Sequence, residues 1–140
     1  MSTPEAGPAP RTNSGPGRAL VAVYGLFALA ATSRGAVQLA TRYDQAPLAY
    51  LLSLLAGLVY LVATFTLARG SATSRRVALV AVSVELVGVL AVGTASLVDP
   101  AAFPRATVWS AYGIGYGFVP LVLPVLGLLW LRRTRPVPVR

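Results

Sequence analysis

Residues 77–98 read VALVAVSVELVGVLAVGTASLV, an apolar run that contains one acid, Glu85, and no basic residue. A transmembrane α-helix needs about 20 consecutive apolar residues, so this run is long enough for one span. Three further runs of similar composition occupy about residues 19–40, 48–68 and 108–130. We therefore predict an all-α polytopic membrane protein, with four transmembrane helices in an up-down bundle over residues 19–131. They are numbered helix 1 to helix 4 in chain order.

The composition and the breaks between the runs agree with this prediction. The 140-residue chain is 56% hydrophobic and 11% charged, whereas a soluble domain carries about 25% charged residues. Pro47 stands before helix 2, Gly70 follows it, and Pro100 cannot continue helix 3. Trp109 and Trp130 bracket helix 4, which is typical of side chains that anchor a span at the two membrane interfaces.

The distribution of arginine predicts the orientation. Nine arginines fall in the N-terminal tail, the 69–76 segment and the C-terminal tail: Arg11, Arg18, Arg69, Arg75, Arg76, Arg132, Arg133, Arg135 and Arg140. The opposite side carries Arg42 and Arg105, which Asp44 and Asp99 balance. By the positive-inside rule, both termini lie in the cytoplasm, and the chain is a multi-pass protein of the cell membrane.

Both ends of the chain have the composition of tails. Residues 1–18 are rich in Pro, Gly, Ser and Thr, which predicts a disordered cytoplasmic tail. Residues 132–140 form a basic cytoplasmic tail, which we expect to attract the anionic lipids of that membrane face. Membrane topology explains the net charge of +8, so we expect the lipid bilayer, and no nucleic acid, as the partner of these charges.

The amino-acid inventory excludes most catalytic chemistry. The chain has no cysteine and no histidine, which removes disulfides, thiol nucleophiles, a histidine base and most zinc sites. Its acids are Glu5, Asp44, Glu85 and Asp99. No nucleophile–base pair or metal ligand set can be assembled from these residues, so we predict neither an enzyme nor a metal or cofactor site.

Glu85 is the most informative residue. It is about 12 Å from the cytoplasmic end of helix 3 at a rise of ~1.5 Å per residue. A charged side chain at such depth costs at least about 2.5 kcal/mol, so we expect Glu85 to be protonated and to face the bundle interior. Ala78, Ala81 and Gly88 share its helix face, and such small residues let another helix pack closely.

Residues on the other helices are candidate partners of Glu85. Tyr60 of helix 2 should lie at a similar depth. Pro120 cannot donate to the carbonyl of Tyr116, so we expect Glu85 or Tyr60 to supply that hydrogen bond. On helix 1, Tyr24, Ala31 and Gln38 share a face at a spacing of seven residues, and Arg34 lies one turn before Gln38. We expect Arg34 to snorkel to the interface or to pair with Asp44 or Asp99 rather than with Glu85.

The stretch from Gly113 to Gly117, GIGYG, resembles a phosphate-binding loop but lies in an apolar run with no preceding strand. We interpret Gly113 and Gly117 instead as a GxxxG packing element of helix 4.

Two functions fit this inventory. The first is a non-enzymatic protein that acts through helix packing, as a homo-oligomer or as an accessory subunit of a larger membrane complex, because small residues on helices 3 and 4 favour close helix contacts. The second is a small proton- or cation-coupled transporter that uses Glu85, since intramembrane acids often mark ion paths. The alternative role for Glu85 is a neutral side chain that joins helices by hydrogen bonds.

Three segments carry a family resemblance: YDQAPLAY at 43–50, VELVGVL at 84–90 and FVPLVLP at 118–124. With them, the stretch from Arg18 to Arg133 resembles small four-helix integral membrane proteins of high-GC actinobacteria. The resemblance implies a fold and a membrane location and assigns no reaction. Small multidrug transporters also have four helices and one membrane glutamate. Theirs lies in the first helix, which has no acid here, so the chain does not follow that family's pattern.

Overall fold

The computed structural model describes residues 12–135, which form four α-helices and two short 3-10 segments. The α-helices are α1 (Pro16–Arg42), α2 (Pro47–Arg69), α3 (Ala72–Val98) and α4 (Val119–Arg133). The 3-10 segments, Pro100–Ala102 and Ser110–Tyr116, lie between α3 and α4. No strand occurs within residues 12–135, and the all-α prediction is confirmed for this part of the chain.

Three of the helices are long and apolar enough to cross a bilayer: α1, α2 and α3. The chain has a fourth candidate span only if Ser110–Tyr116 and α4 are counted together, and these two pieces are bent by 100° relative to each other. The prediction of four spans is therefore supported as three to four.

Local sequence signals explain where the first helices begin and end. Pro16 and Pro47 open α1 and α2, where the fixed φ of proline suits the first turn and its missing N–H has no helical partner to lose. Gly70 ends α2 with a left-handed φ of 69°, and the Ser71 side chain accepts from the Ser74 amide to cap α3. The turn between α2 and α3 is consequently short, so these helices lie antiparallel.

The helices pack in a ring. Each packs against the next along the chain, and α4 closes the ring through a smaller contact with α1. As a result α1 and α3 face each other across the interior. The core between them is built from small and aromatic residues, including Tyr24, Ala28, Tyr60 and Ala81.

The closest backbone approach lies between α1 and α2. A methyl group placed at Gly57 would lie 2.7 Å from the Thr32 nitrogen, and one placed at Gly35 would lie 2.9 Å from the Leu54 nitrogen. Each helix therefore contributes a glycine to a contact that leaves no room for a side chain. The sequence interpretation placed close packing on helices 3 and 4 instead.

Helix 4 does not follow the predicted range of 108–130. Residues 110–116 form a 3-10 segment in which Ala111, Tyr112 and Gly113 have positive φ, and α4 begins only at Val119. Gly113 (φ 84°) and Gly117 (φ 63°) lie in this break, so the GxxxG interpretation is wrong. Each glycine lowers helix stability by about 1 kcal/mol relative to alanine, and three of them between residues 113 and 117 favour a break that hydropathy alone does not detect.

Helices 1 and 3 begin earlier than predicted, at Pro16 and Ala72 rather than at residues 19 and 77.

The segment before α1, predicted as disordered, is ordered from Thr12. The Thr12 hydroxyl donates to the Leu67 carbonyl, and the Asn13 amide donates to the Ala68 carbonyl at 2.8 Å. These carbonyls belong to the last turn of α2, where no helical amide can reach them. Residues 1–11 and 136–140, which carry the rest of the predicted tails, lie outside the described residues.

Candidate functional site

Glu85 lies in the centre of the bundle, with 0% of its surface exposed. The buried face of α3 also carries Ala78, Ala81, Val89 and Gly93. These positions are three, four or seven residues apart along the face, so they form one stripe towards the interior. Burial of the whole side chain means that its two carboxyl oxygens depend on protein partners for hydrogen bonds.

The hydrogen-bond partner of Glu85 is Tyr24. The Tyr24 hydroxyl of α1 donates to Oε1 of Glu85 at 2.6 Å, across the interior from α3. A methyl group placed at Gly127 of α4 would lie 3.1 Å from the Tyr24 oxygen and 3.0 Å from Cγ1 of Val82. Gly127 therefore provides the space in which this hydroxyl meets the carboxyl.

Tyr60, the candidate partner of Glu85 on helix 2, forms a hydrogen bond with Trp109 instead. Its hydroxyl accepts from Nε1 of Trp109 at 2.8 Å. Tyr60 is fully buried and its ring centroid lies 6.1 Å from that of Tyr24. Tyr60 thus belongs to the same buried group as Glu85 and is connected to it through the neighbouring Tyr24 ring rather than by a direct hydrogen bond.

Trp109 connects the loop before the 3-10 segment to the bundle. Its side chain is 2% exposed, whereas the sequence interpretation placed it at the membrane interface. A methyl group at Gly88 would lie 2.6 Å from Cζ3 of this indole. Gly88 was predicted to pack against another helix, and in the structure it packs against the Trp109 ring. No spacing in the sequence relates Gly88 to Trp109, since the long connection after α3 brings them together.

Further aromatic contacts extend this group towards the outer end. The Phe27 ring lies 5.9 Å from that of Tyr60 and 5.7 Å from that of Tyr116, both in tilted or edge-on geometry. Such pairs stabilise a core by about 0.5–1.5 kcal/mol beyond area burial. Tyr116 is therefore part of the aromatic cluster, although its hydroxyl is used elsewhere.

Arg34 donates to the Tyr116 hydroxyl, with Nη1 2.6 Å from the oxygen. Within residues 12–135 Arg34 makes no ion pair with Asp44 or Asp99, so this alternative is wrong, and its guanidinium bonds instead to a hydroxyl of the 3-10 segment before α4. The other alternative, that Arg34 snorkels to the membrane interface, stays a prediction. Gln38, one turn further along α1, has a buried Oε1 with no hydrogen-bond partner among residues 12–135. Neither residue bonds to Glu85, since both lie nearer the C-terminal end of α1.

Pro120 has a different role from the predicted one. It occupies the first turn of α4, so the Tyr116 carbonyl is outside the helix and loses no helical donor. Its ring packs on Gly113, where an added methyl group would lie 2.6 Å from Cγ of Pro120. The Glu85 carboxyl bonds to Tyr24, and the Tyr60 hydroxyl bonds to Trp109. The predicted hydrogen bond from Glu85 or Tyr60 to the Tyr116 carbonyl is therefore wrong.

The second carboxyl oxygen of Glu85 determines whether the site can hold a proton or a cation. Oε2 is buried and has no hydrogen-bond partner among residues 12–135. A buried carboxylate in such a position costs far more than a neutral carboxyl, although the neutral group also costs free energy while its O–H has no acceptor. The arrangement can therefore hold one proton, or take up a small cation if a path opens to it.

Comparison with known proteins does not extend this description. No protein-family model matches the chain, and neither the curated proteins nor the solved structures include a significant match. The resemblance to actinobacterial four-helix proteins stays a prediction, and the site is interpreted from its own geometry.

Proposed function

We propose that the chain is a non-enzymatic, multi-pass protein of the cell membrane that acts through helix packing, with a second copy of itself or within a larger complex. Large apolar side chains on the outer faces of the helices support a lipid environment. Leu26, Leu29, Phe65, Val87 and Leu129 each expose more than half of their surface, as expected where lipid tails replace water.

We propose a topology in which both termini lie on the cytoplasmic side. It requires the broken segment and α4 to cross as one span, because three crossings would separate the two ends of the chain. The hydrogen bond from Nε1 of Trp130 to the Thr12 carbonyl, at 2.9 Å, supports this topology, since it holds the start of α1 beside the end of α4. The arginine distribution then assigns this end to the cytoplasm.

The observation that carries the packing function is an apolar groove between α2 and α3. It encloses about 640 Å³, and its lining includes Leu55, Leu79, Val80, Ser83, Val84 and Val87. Lipid tails are as apolar as these side chains, so helices associate in a bilayer by close packing rather than by hydrophobic burial. A groove with small residues such as Ser83 suits a helix, and a two-fold dimer would bring two such grooves together.

Cysteine crosslinking tests this dimer directly, because the natural chain contains no cysteine. Val84→Cys, in the groove, should form a disulfide-linked dimer when membranes that contain the variant are oxidised. Leu29→Cys on α1 is the matched control, since its side chain is also exposed but lies away from the groove. Adding Ser83→Phe should fill the groove and reduce the Val84→Cys crosslink. Equal crosslinking at both positions, or none at Val84→Cys, would contradict a dimer through this groove.

One specific observation favours a second function, a small proton- or cation-coupled carrier. Among residues 12–135, Oε2 of Glu85 has no hydrogen-bond partner. Tyr24, which bonds to Oε1, contacts the ring of Tyr60, and the Tyr60 hydroxyl accepts from Trp109, the residue just before the broken segment. Interrupted helices frequently form the ion sites of membrane transporters. Proteoliposomes with an internal pH-sensitive dye test this function: Glu85→Gln should abolish proton flux while the protein stays folded. Flux equal to that of the natural protein would eliminate Glu85 as the coupling group.

A further inference from the structure

Four arginines surround a cleft of about 440 Å³ where α3 begins and α4 ends. Arg75 and Arg76 lie in the first two turns of α3, Arg132 lies in the last turn of α4, and Arg135 follows the end of α4 by two residues. The apolar part of the lining includes Leu79, Leu128 and Leu131. The cleft is thus cationic at its mouth and apolar along its side.

One of these arginines is held in place by the protein. Nη1 of Arg75 donates to the Thr134 carbonyl at 3.1 Å and to the Thr134 hydroxyl at 2.9 Å. The same hydroxyl donates to the Trp130 carbonyl at 2.8 Å. These bonds join the start of α3 to the end of α4, so the walls of the cleft have a defined separation.

Among residues 12–135, no acidic side chain lies close enough to neutralise these four arginines. Asp44 and Asp99 follow the ends of α1 and α3 and lie at the opposite end of the bundle, about 30 Å or more away at ~1.5 Å per residue. Glu85 is buried and bonded to Tyr24. Four guanidinium groups around one cleft repel each other, and an anion between them would offset that repulsion.

We propose that this cleft binds one anionic phospholipid, with its phosphate among Arg75, Arg76, Arg132 and Arg135 and an acyl chain along Leu79, Leu128 and Leu131. Arginine is well suited to a phosphate group because its planar guanidinium can donate two parallel hydrogen bonds. A soluble phosphate compound would leave the leucine side of the cleft unused, whereas a lipid fills both parts. The site rests on the membrane location proposed above, and not on the dimer or on carrier activity.

Native mass spectrometry of the purified full-length protein in mild detergent tests the site. With dioleoyl phosphatidylglycerol and dioleoyl phosphatidylcholine added in equal amounts, the natural chain should retain one phosphatidylglycerol in preference to phosphatidylcholine. The double variant Arg76→Gln/Arg132→Gln removes two exposed arginines and should weaken this binding at least roughly tenfold. The double variant Arg42→Gln/Arg105→Gln makes the same charge change at the opposite end and should bind like the natural chain.

Three results would overturn the proposal. Equal retention of the two lipids would show that charge is not recognised. Equal loss in both double variants would place the lipid outside this cleft. Competition by sn-glycerol 3-phosphate as effective as that by phosphatidylglycerol would assign the cleft to a soluble phosphate. A carbonate wash of membranes comes first, because release of the chain without detergent would contradict the membrane location on which the lipid site rests. The lipid site does not depend on the dimer, so failure of the Val84→Cys crosslink would not contradict it.

Discussion

The hydroxyl of Tyr24 lies 2.6 Å from Oε1 of Glu85 and joins α1 to α3 across the centre of the bundle. Both side chains are fully buried, so the bond is shielded from water and from lipid headgroups. Hydrogen bonds between spans in a bilayer contribute about 0.6 kcal/mol on average. The larger energetic effect is the cost of leaving a buried partner unsatisfied.

Removal of this donor should destabilise the fold. Tyr24→Phe leaves Oε1 of Glu85 without a partner, and we expect the free energy of unfolding to fall by about 1–3 kcal/mol. Unfolding by sodium dodecyl sulfate in mixed micelles measures this change. Tyr43→Phe is the control, since Tyr43 is 58% exposed and should have no effect. An unchanged stability in Tyr24→Phe would mean that Glu85 finds another donor.

The close contact between α1 and α2 should not tolerate an added methyl group. Gly57→Ala places a methyl 2.7 Å from the Thr32 nitrogen, and overpacking of this kind costs about 1–3 kcal/mol. The matched control is Gly115→Ala, because nothing lies within 4 Å of a methyl at that position. Thermal unfolding in detergent should show a lower Tm for Gly57→Ala than for Gly115→Ala, and the reverse order would contradict the glycine crossing.

The break before α4 predicts an unusual response to alanine. In a continuous helix, Gly→Ala stabilises by about 1 kcal/mol. At Gly117, where φ is 63° and the space around a methyl is open, Gly→Ala should instead destabilise by about 1 kcal/mol through backbone strain alone.

Gly113→Ala should cost more than Gly117→Ala, because its methyl would also meet the ring of Pro120. The free energies of unfolding of both variants in mixed micelles check this order. Stabilisation by either substitution would indicate that residues 108–130 form the continuous helix that the sequence predicts.

Tryptophan fluorescence can check the burial of Trp109 without any assay of function. The chain has two tryptophans, so Trp130→Phe leaves Trp109 as the one emitter. Because Trp109 is 2% exposed, we expect weak quenching by acrylamide and by brominated lipid. Trp109→Phe, the reciprocal variant, leaves the half-buried Trp130 and should be quenched more strongly. Equal quenching of the two variants would place Trp109 at the membrane interface.

The sequence predicted the interior position of Glu85 but not which side chain bonds to it. The cost of burying a charge predicts that Glu85 faces the interior, whichever side chains surround it. The choice of Tyr24 over Tyr60 depends on the space that Gly127 leaves on a third helix. Hydropathy and depth do not encode that space, so reasoning from single helices named both tyrosines as candidates and could not choose between them.

The sequence by itself determined the all-α class, the three long apolar helices and the interior position of Glu85. These follow from hydrophobic length and desolvation, which depend on composition along one segment. Only the tertiary structure decided that Trp109 packs on Gly88, that Arg34 meets Tyr116 and that Thr12 bonds to the end of α2. Each of these contacts joins residues far apart in the chain, and the break before α4 and the glycine crossing of α1 with α2 set their geometry. The sequence could not predict these contacts because they depend on how the helices pack in three dimensions and not on the helix propensity or hydropathy of any one segment.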